Sequence, residues 1–262
     1  MKLTSLFSGS SGNCLLVEHN NTTLLIDAGL PGNRIQAMLA VADVDPGTLD
    51  GILVTHEHSD HISGIGVLSR RYQLPIYANQ KTFSAMQGKI GKIRDEAIHI
   101  FDSSRSFIIK DLEILPFRTP HDAAESVGFR INGGEESLSV ATDIGTVTTE
   151  ISDALQGCKL VFLEANHDID MLMNGPYPFY LKERIRSDIG HLSNEEAGTF
   201  CCYLIDNGTE KIMLGHLSKQ NNTPLAALQT VKKTTACNQM RCGEDYLLYV
   251  ALRDQISDSM II

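Results

Sequence analysis

No run of 18 or more apolar residues occurs in the 262-residue chain, which excludes a membrane-spanning helix. The N-terminal "MKLTSLFSGSSGN" has one lysine and too short an apolar stretch for a secretory signal, so a cytoplasmic protein is expected. Six cysteines (Cys14, Cys158, Cys201, Cys202, Cys237, Cys242) are scattered, and none forms a CxxC pair. Without an export signal a disulfide framework is not expected, and reduced, mostly buried thiols are. Positive charge is also in deficit. A net charge of −10 argues against indiscriminate adhesion to nucleic acid through a basic face. It leaves room for a phosphate substrate, because metal ions and a local basic patch can reverse the potential inside a cleft. Internal repeats, low-complexity stretches and Pro/Gly/Ser-rich linkers are missing too, so residues 1–262 are expected to form one domain.

What is present alternates strands and helices. "KLTSLF", "NCLLVEH" and "TTLLIDAG" read as strands, "NRIQAMLAVA" has helical spacing, and "LDGILVTH" is a buried-type strand. "HISGIGVLSRRY" reads as a helix, followed by the strand "LPIYAN". Residues 97–142 are strand-rich: "AIHIF", "SFIIK", "LEILPFRT", "SVGFRING" and "SLSVATD". After the strand "LVFLEAN" come the helix "SNEEAGTFCCYLID", the strand "EKIMLGH", the helix "TPLAALQTVKKTT" and the strand "DYLLYVA". Two sheets covered outside by helices, an α+β chain arranged as an αββα sandwich, is consistent with this order.

"THEHSDH" (55–61) spends three of the chain's nine histidines in seven positions. In extended backbone, positions i and i+2 point the same way, so His56 and His58 can reach one ion. Asp60 and His61 follow where the chain turns into a helix and can face a second point nearby. His121, Asp143 and His216 each follow an apolar strand. An exposed polar turn rich in histidine is the plain alternative. Several donors at the same topological position, beside a compact HxHxDH, favour a metal site.

HxHxDH, with His121, Asp143 and His216 downstream in order, resembles the signature of metallo-β-lactamase-fold hydrolases over essentially the whole chain. The resemblance implies an αββα sandwich with two metal ions at one edge. By carry-over, His56, His58 and His121 would hold one ion, Asp60, His61 and His216 the other, and Asp143 would bridge them. Such a pair of ions can share a hydroxide nucleophile and clamp a phosphoryl group. Diiron redox members resemble HxExD, whereas this chain has His58 at that place, which favours hydrolysis. Antibiotic hydrolysis is not expected, since true lactamases often carry a cysteine ligand and are exported. "LFSGSSGN" (6–13), "LEANHD" (163–168), "GHLSNEEAG" (190–198) and "GHLSKQNN" (215–222) are similar to the YycJ/WalJ-like branch, which implies 5′-to-3′ exonuclease action on double-stranded DNA. Zinc, manganese and iron all suit imidazole and carboxylate donors.

"GHLS" occurs twice. His216 follows a strand and suits a rigid ligand position. His191 precedes a helix start at which Ser193 and Glu196 form a capping-box pattern. It resembles the catalytic histidine segment of related phosphodiesterases, which implies contact with a phosphate oxygen or protonation of the leaving alkoxide; bracing the helix start is the alternative. Asp60 and His191 are thus the expected catalytic residues. Glu164 can orient His191 as a carboxylate partner, and His167 can line the cleft. Ser10 and Asn13 belong to a small-residue loop able to cradle an anion. Lys182, Arg184 and Arg186 of "KERIR" offer a track for a DNA backbone. A small-molecule phosphodiesterase, opening cyclic phosphates for example, would use the same ligands and accords with the acidic charge. A metal-free binding protein would not need the complete ligand set.

Overall fold

Along β1 (Lys2–Phe7), β2 (Cys14–His19) and β3 (Thr22–Ile26), side chains alternate between two faces, and both faces are buried. Leu3, Leu15, Val17, Leu24 and Ile26 point one way, whereas Leu6, Cys14, Leu16 and Leu25 point the other. A strand buried on both sides needs a layer on each side, and that requirement dictates the architecture. The computed structural model describes all 262 residues. The chain continues through α1 (Gly32–Val41), β4 (Gly51–Leu53), α2 (Ser59–Ile62), α3 (Ile65–Tyr72), β5 (Ile76–Asn79), α4 (Gln80–Ile90) and β6 (Ile98–Phe101). A second set follows: β7 (Phe107–Ile109), β8 (Leu112–Arg118), β9 (Val127–Gly133), β10 (Glu136–Ala141), α5 (Thr149–Leu155) and β11 (Leu160–Glu164). It closes with α6 (Ile169–Asn174), α7 (Phe179–Ile185), α8 (Asn194–Asp206), β12 (Lys211–Gly215), α9 (Pro224–Cys237), β13 (Leu247–Val250) and β14 (Met260–Ile261).

The strands form two seven-stranded sheets, ordered β14-β1-β2-β3-β4-β5-β6 and β13-β12-β11-β10-β9-β8-β7. Each is built the same way. An antiparallel half leads to one strand, β3 or β10, from which the remaining pairs run parallel. One apolar cluster lies between the sheets, with Phe129 and Phe162 fully buried in it; truncating either to alanine should cost about 3–5 kcal/mol. The other two clusters join each sheet to its outer helices, completing the αββα sandwich expected from the element order. No helix is long and apolar enough to cross a membrane.

Three details depart from the sequence reading. The helix expected over 61–72 is two helices, α2 and α3, separated at Ser63 and Gly64. A Cβ at Gly64 would lie 2.4 Å from the Leu30 carbonyl oxygen, so the chain is pressed against its neighbour there. Helices α4, α6 and α7 and the two-residue β14 carry too weak a local pattern to have been read. β14 exists through its pairing with β1, from the far end of the chain. Of the six free thiols, Cys14, Cys158 and Cys201 are buried, but Cys237 and Cys242 are exposed at and beyond the end of α9.

Candidate metal centre and active site

Parallel strands deliver their C-terminal ends to one rim, and there the acids and histidines gather. Asp27 directly follows β3 and Asp143 follows β10, the strand at which each sheet turns parallel. His216 directly follows β12. All three sit at positive φ, near 60°, 57° and 54°. A non-glycine residue pays for that conformation, with aspartate the more tolerant, and such strain collects where side chains must be aimed. His56 and His58 extend β4, and α2 begins at Ser59, so Asp60 and His61 turn back toward the same rim. Gly29 lets this happen: a Cβ there would lie 1.6 Å from the Asp60 carbonyl oxygen.

Four imidazoles share one arrangement. Each has its Nδ1 occupied by the protein, which leaves Nε2 for the centre. His56 Nδ1 meets the Thr55 hydroxyl at 3.0 Å, and His61 Nδ1 meets Asp27 at 2.7 Å. His121 Nδ1 meets the Gly190 carbonyl at 3.2 Å, and His216 Nδ1 meets Glu164 at 2.8 Å. Metal-ligating histidines show this habit, because the second nitrogen fixes tautomer and orientation. The rings of His56, His58 and His121 lie 4.6–5.1 Å apart, converging on one point. Asp60, His61 and His216 converge on another.

Asp143 lies between the two groups. Its Oδ1 is 3.4 Å from His121 Nε2 and its Oδ2 is 3.3 Å from His61 Nε2. Ligand atoms 2.0–2.1 Å from a tetrahedral ion would be separated by about 3.4 Å. His56 Nε2, His216 Nε2 and Asp143 Oδ2 are buried with no hydrogen-bond partner. Orphaned buried donor atoms are rare in proteins. Here they all face the centre, so the residues fit divalent metal ions.

Electrostatics point the same way. Burial would raise the Asp143 carboxyl, but His216, His61, His56 and His121 hold it well below the usual carboxylate range. Burial likewise opposes charge on His216, yet Asp143, Asp60 and Glu164 push it up to about 10. His56 goes the other way, driven down by burial and by His61. His61 is raised against its burial by Asp143, Asp27 and Asp60, and a carboxylate array that forces protons onto two buried imidazoles is one that demands cationic charge at its middle.

Glu164 ties this array to His191. By strand parity it shares the inner face of β11 with Leu160 and Phe162, and it is fully buried. Its Oε1 accepts from His216 Nδ1 and His191 Nδ1, both at 2.8 Å. Its Oε2 accepts from the backbone N–H of Ile144 (2.9 Å) and of Leu192 (3.2 Å). Burial alone would raise it, but the two histidines hold its carboxyl down at about 2. His191 is partly open to solvent, and α8 is capped without it. Ser193 and Glu196 form the complete capping box.

The other expected residues are placed unevenly. Asn13 Nδ2 lies 3.1 Å from His61 Nε2, and its backbone N–H donates to the Asp60 carbonyl, so it positions the start of α2. Ser10 is exposed at the tip of its loop. His167 is buried, lowered to about 4 by that burial, and its Nδ1 has no partner; it lines a cavity of about 150 Å³ together with Arg186 and Glu195. The three-residue basic track is not formed. Lys182 is buried, its ammonium donating to the carbonyls of Met173 (2.7 Å) and Gly175 (2.8 Å), because the helical period turns it away from Arg184. Arg184 forks onto Asp122 at 2.5–2.6 Å beside His121, and Arg186 is exposed.

Sequence reasoning missed several supports. Asp27 accepts from the Thr55 N–H and hydroxyl besides meeting His61. Ser8 Oγ accepts the His216 N–H at 2.8 Å. Glu57 accepts the Ala124 N–H at 2.8 Å and so holds the loop that carries His121. An acid directly after an apolar strand, as in "LLIDAG", was the available signal for Asp27. A cavity of about 480 Å³ lies beside α8 between Val147 and Tyr203, away from the ligands. Beside the centre lies a small crevice lined by His121, Asp122, Arg184 and His191.

Comparison with known proteins agrees with this geometry. Residues 22–216 match the β-lactamase superfamily domain. The chain is 40% identical over 250 residues to the exodeoxyribonuclease WalJ of Streptococcus pneumoniae, covering 95% of this chain and 93% of that protein. It is 39% identical over 244 residues to the exodeoxyribonuclease YycJ of Bacillus anthracis, covering 93% and 92%. Among solved structures, the metallo-β-lactamase fold protein YhfI of Bacillus subtilis superposes with a TM-score of 0.72 at 17% identity, covering 98% of this chain and 99% of YhfI.

Proposed function

Because the chain belongs to the β-lactamase superfamily and is a metal-dependent hydrolase, we propose that it is a two-metal phosphodiesterase that degrades double-stranded DNA from its ends, 5′ to 3′. The observation that carries the substrate is the 40% identity, across nearly the full length of both chains, to a protein named as an exodeoxyribonuclease. A cytoplasmic location accords with a DNA substrate and with relatives named as exodeoxyribonucleases.

His56, His58 and His121 would hold one divalent ion, whether zinc, manganese or iron, and Asp60, His61 and His216 the other, with Asp143 spanning both. When bound, the ions supply Lewis-acid polarisation of the phosphoryl oxygens and a lowered pKa for an attacking water. The protein does the rest. Thr55, Asp27, the Gly190 carbonyl and Glu164 hold four imidazoles in the tautomer that presents Nε2. Asp60 presents its carboxylate between His61 and His216, at 3.5 and 3.8 Å from their Nε2 atoms. His191, with Nδ1–H donating to Glu164, keeps Nε2 toward the crevice, where it donates a proton to the departing oxygen as the P–O bond breaks. Arg184, held by Asp122 at the crevice wall, would face a phosphate oxygen.

The test is a comparison of rates. The manganese- and the zinc-loaded protein are each incubated with end-labelled linear duplex, single strands and a chromogenic phosphodiester. Preferred release of mononucleotides from the 5′ end of duplex supports the reading. Turnover confined to the small diester would replace it with the small-molecule alternative, which the net charge of −10 favours.

A further inference from the structure

We propose that Tyr180, with Phe179 beside it, is a stacking platform for unpaired bases at the DNA end being fed to the centre; this rests on the nuclease reading. The chain has no tryptophan, and its large apolar side chains are mostly buried. Phe179 (70% exposed) and Tyr180 (74%) are the most exposed of them, and they are adjacent. Leaving two aromatic rings in water is costly unless something uses them.

Their setting is stiff. Pro176 and Pro178 fix the backbone on either side of Tyr177, and Pro178 stands at the N-cap of α7. The buried Lys182 ammonium bonds the Met173 and Gly175 carbonyls, tying α7 to the end of α6. Rings presented from so constrained a base lose little freedom when they are covered.

Their direction follows from helix geometry. Tyr180 and Arg184 are four residues apart on α7 and share a face. Arg184 reaches Asp122 next to His121 and forms part of the crevice wall. Tyr180 therefore stands one turn, about 5–6 Å, further out along the face that leads to the centre. Phe179 shares its side with Glu183 and flanks this path rather than lying on it. Arg184 stays ion-paired to Asp122 at the crevice, so the grip comes from the ring, which stacks on the face of a base.

Tyr180→Trp makes the test direct, since it supplies the only tryptophan in the chain. In the metal-loaded His191→Ala background, so that DNA survives, titration with duplex bearing a 5′ single-stranded overhang should quench its fluorescence in a saturable way. In the otherwise wild-type enzyme, Tyr180→Ala should raise KM for that DNA roughly 5- to 150-fold, the range for one lost base stack. Tyr180→Phe should restore it, and turnover of bis(4-nitrophenyl) phosphate should be unchanged. Absent quenching with an unchanged KM, while the wild type degrades DNA, would overturn the platform and leave the nuclease reading standing. A wild type that degrades no DNA would overturn the nuclease reading itself. Equal loss on the small diester, or a dimer seen by sedimentation that Tyr180→Ala dissolves, would also overturn the platform, assigning the ring to support of the centre or to a second copy.

Discussion

Glu164→Gln removes one charge and almost no volume, and its consequence can be worked through atom by atom. The carboxylate accepts from four donors: two imidazole Nδ1–H groups on Oε1 and two backbone N–H groups on Oε2. A glutamine offers one oxygen and one NH2. If the NH2 faces the backbone, two buried N–H groups lose their acceptor, at about 1–3 kcal/mol each. If it faces the imidazoles, both rings can shift to the tautomer with the proton on Nε2 and accept from the amide. The second arrangement leaves nothing unpaired, so it should win, and the fold should survive. His216 then presents Nε2–H where a lone pair is needed, and His191 loses the carboxylate that orients it. Affinity at the Asp60–His61–His216 position should drop about 10- to 100-fold, the usual cost of losing a ligand's hydrogen-bond partner. Turnover should fall on the order of 10⁴-fold, as when a wrong tautomer is imposed on a catalytic histidine. The assay is metal content after dialysis against graded free zinc, with melting temperature and chromogenic turnover measured on the same preparation. Wild-type metal content and rate would refute the reasoning.

Asp143→Ala should weaken both ions, because its two oxygens face different ligand groups; full metal occupancy by elemental analysis would contradict that. His191→Ala should keep metal and melting temperature, since α8 is capped by Ser193 and Glu196, while turnover drops roughly 10²–10⁴-fold. Retained activity with a lowered melting temperature would reverse that assignment. Metal uptake should tighten as pH rises and should release protons into a weak buffer at neutral pH. His61 is raised and His216 is pushed up to about 10, so both carry a proton that an ion must displace. The same shift gives the metal-free protein a stabilising contribution that is complete below the ordinary imidazole range and lost as pH climbs through about 10. A pH-independent zinc affinity between pH 6 and pH 9, the window bracketing the ordinary imidazole value, would contradict both statements.

The centre was legible because its residues are chemically restricted and topologically repeated. HxHxDH follows β4, and His121, Asp143 and His216 each follow a strand, so strand ends and residue type sufficed to bring them together. Asp27 obeys the same rule but stands alone in the sequence. Its partner His61 is 34 residues away, and nothing local announces the contact. The basic run was misjudged for a periodic reason. Residues 182, 184 and 186 would share a face in a strand, but α7 is a helix of seven residues, too short to declare itself, and it buries Lys182. Support by backbone groups, such as the Gly190 carbonyl on His121, leaves no mark on side-chain identity at all. The sandwich itself was expected from the order of strands and helices and from the family resemblance, whereas β14 depended on pairing across the whole chain.

The most direct test of the two-metal account is a titration of the metal-stripped protein with manganese or zinc, with exonuclease activity on 5′-labelled linear duplex read at each step. Activity should stay near background through the first equivalent and appear with the second, as labelled mononucleotide. Full activity at one equivalent, or no release from DNA ends at two, would contradict it.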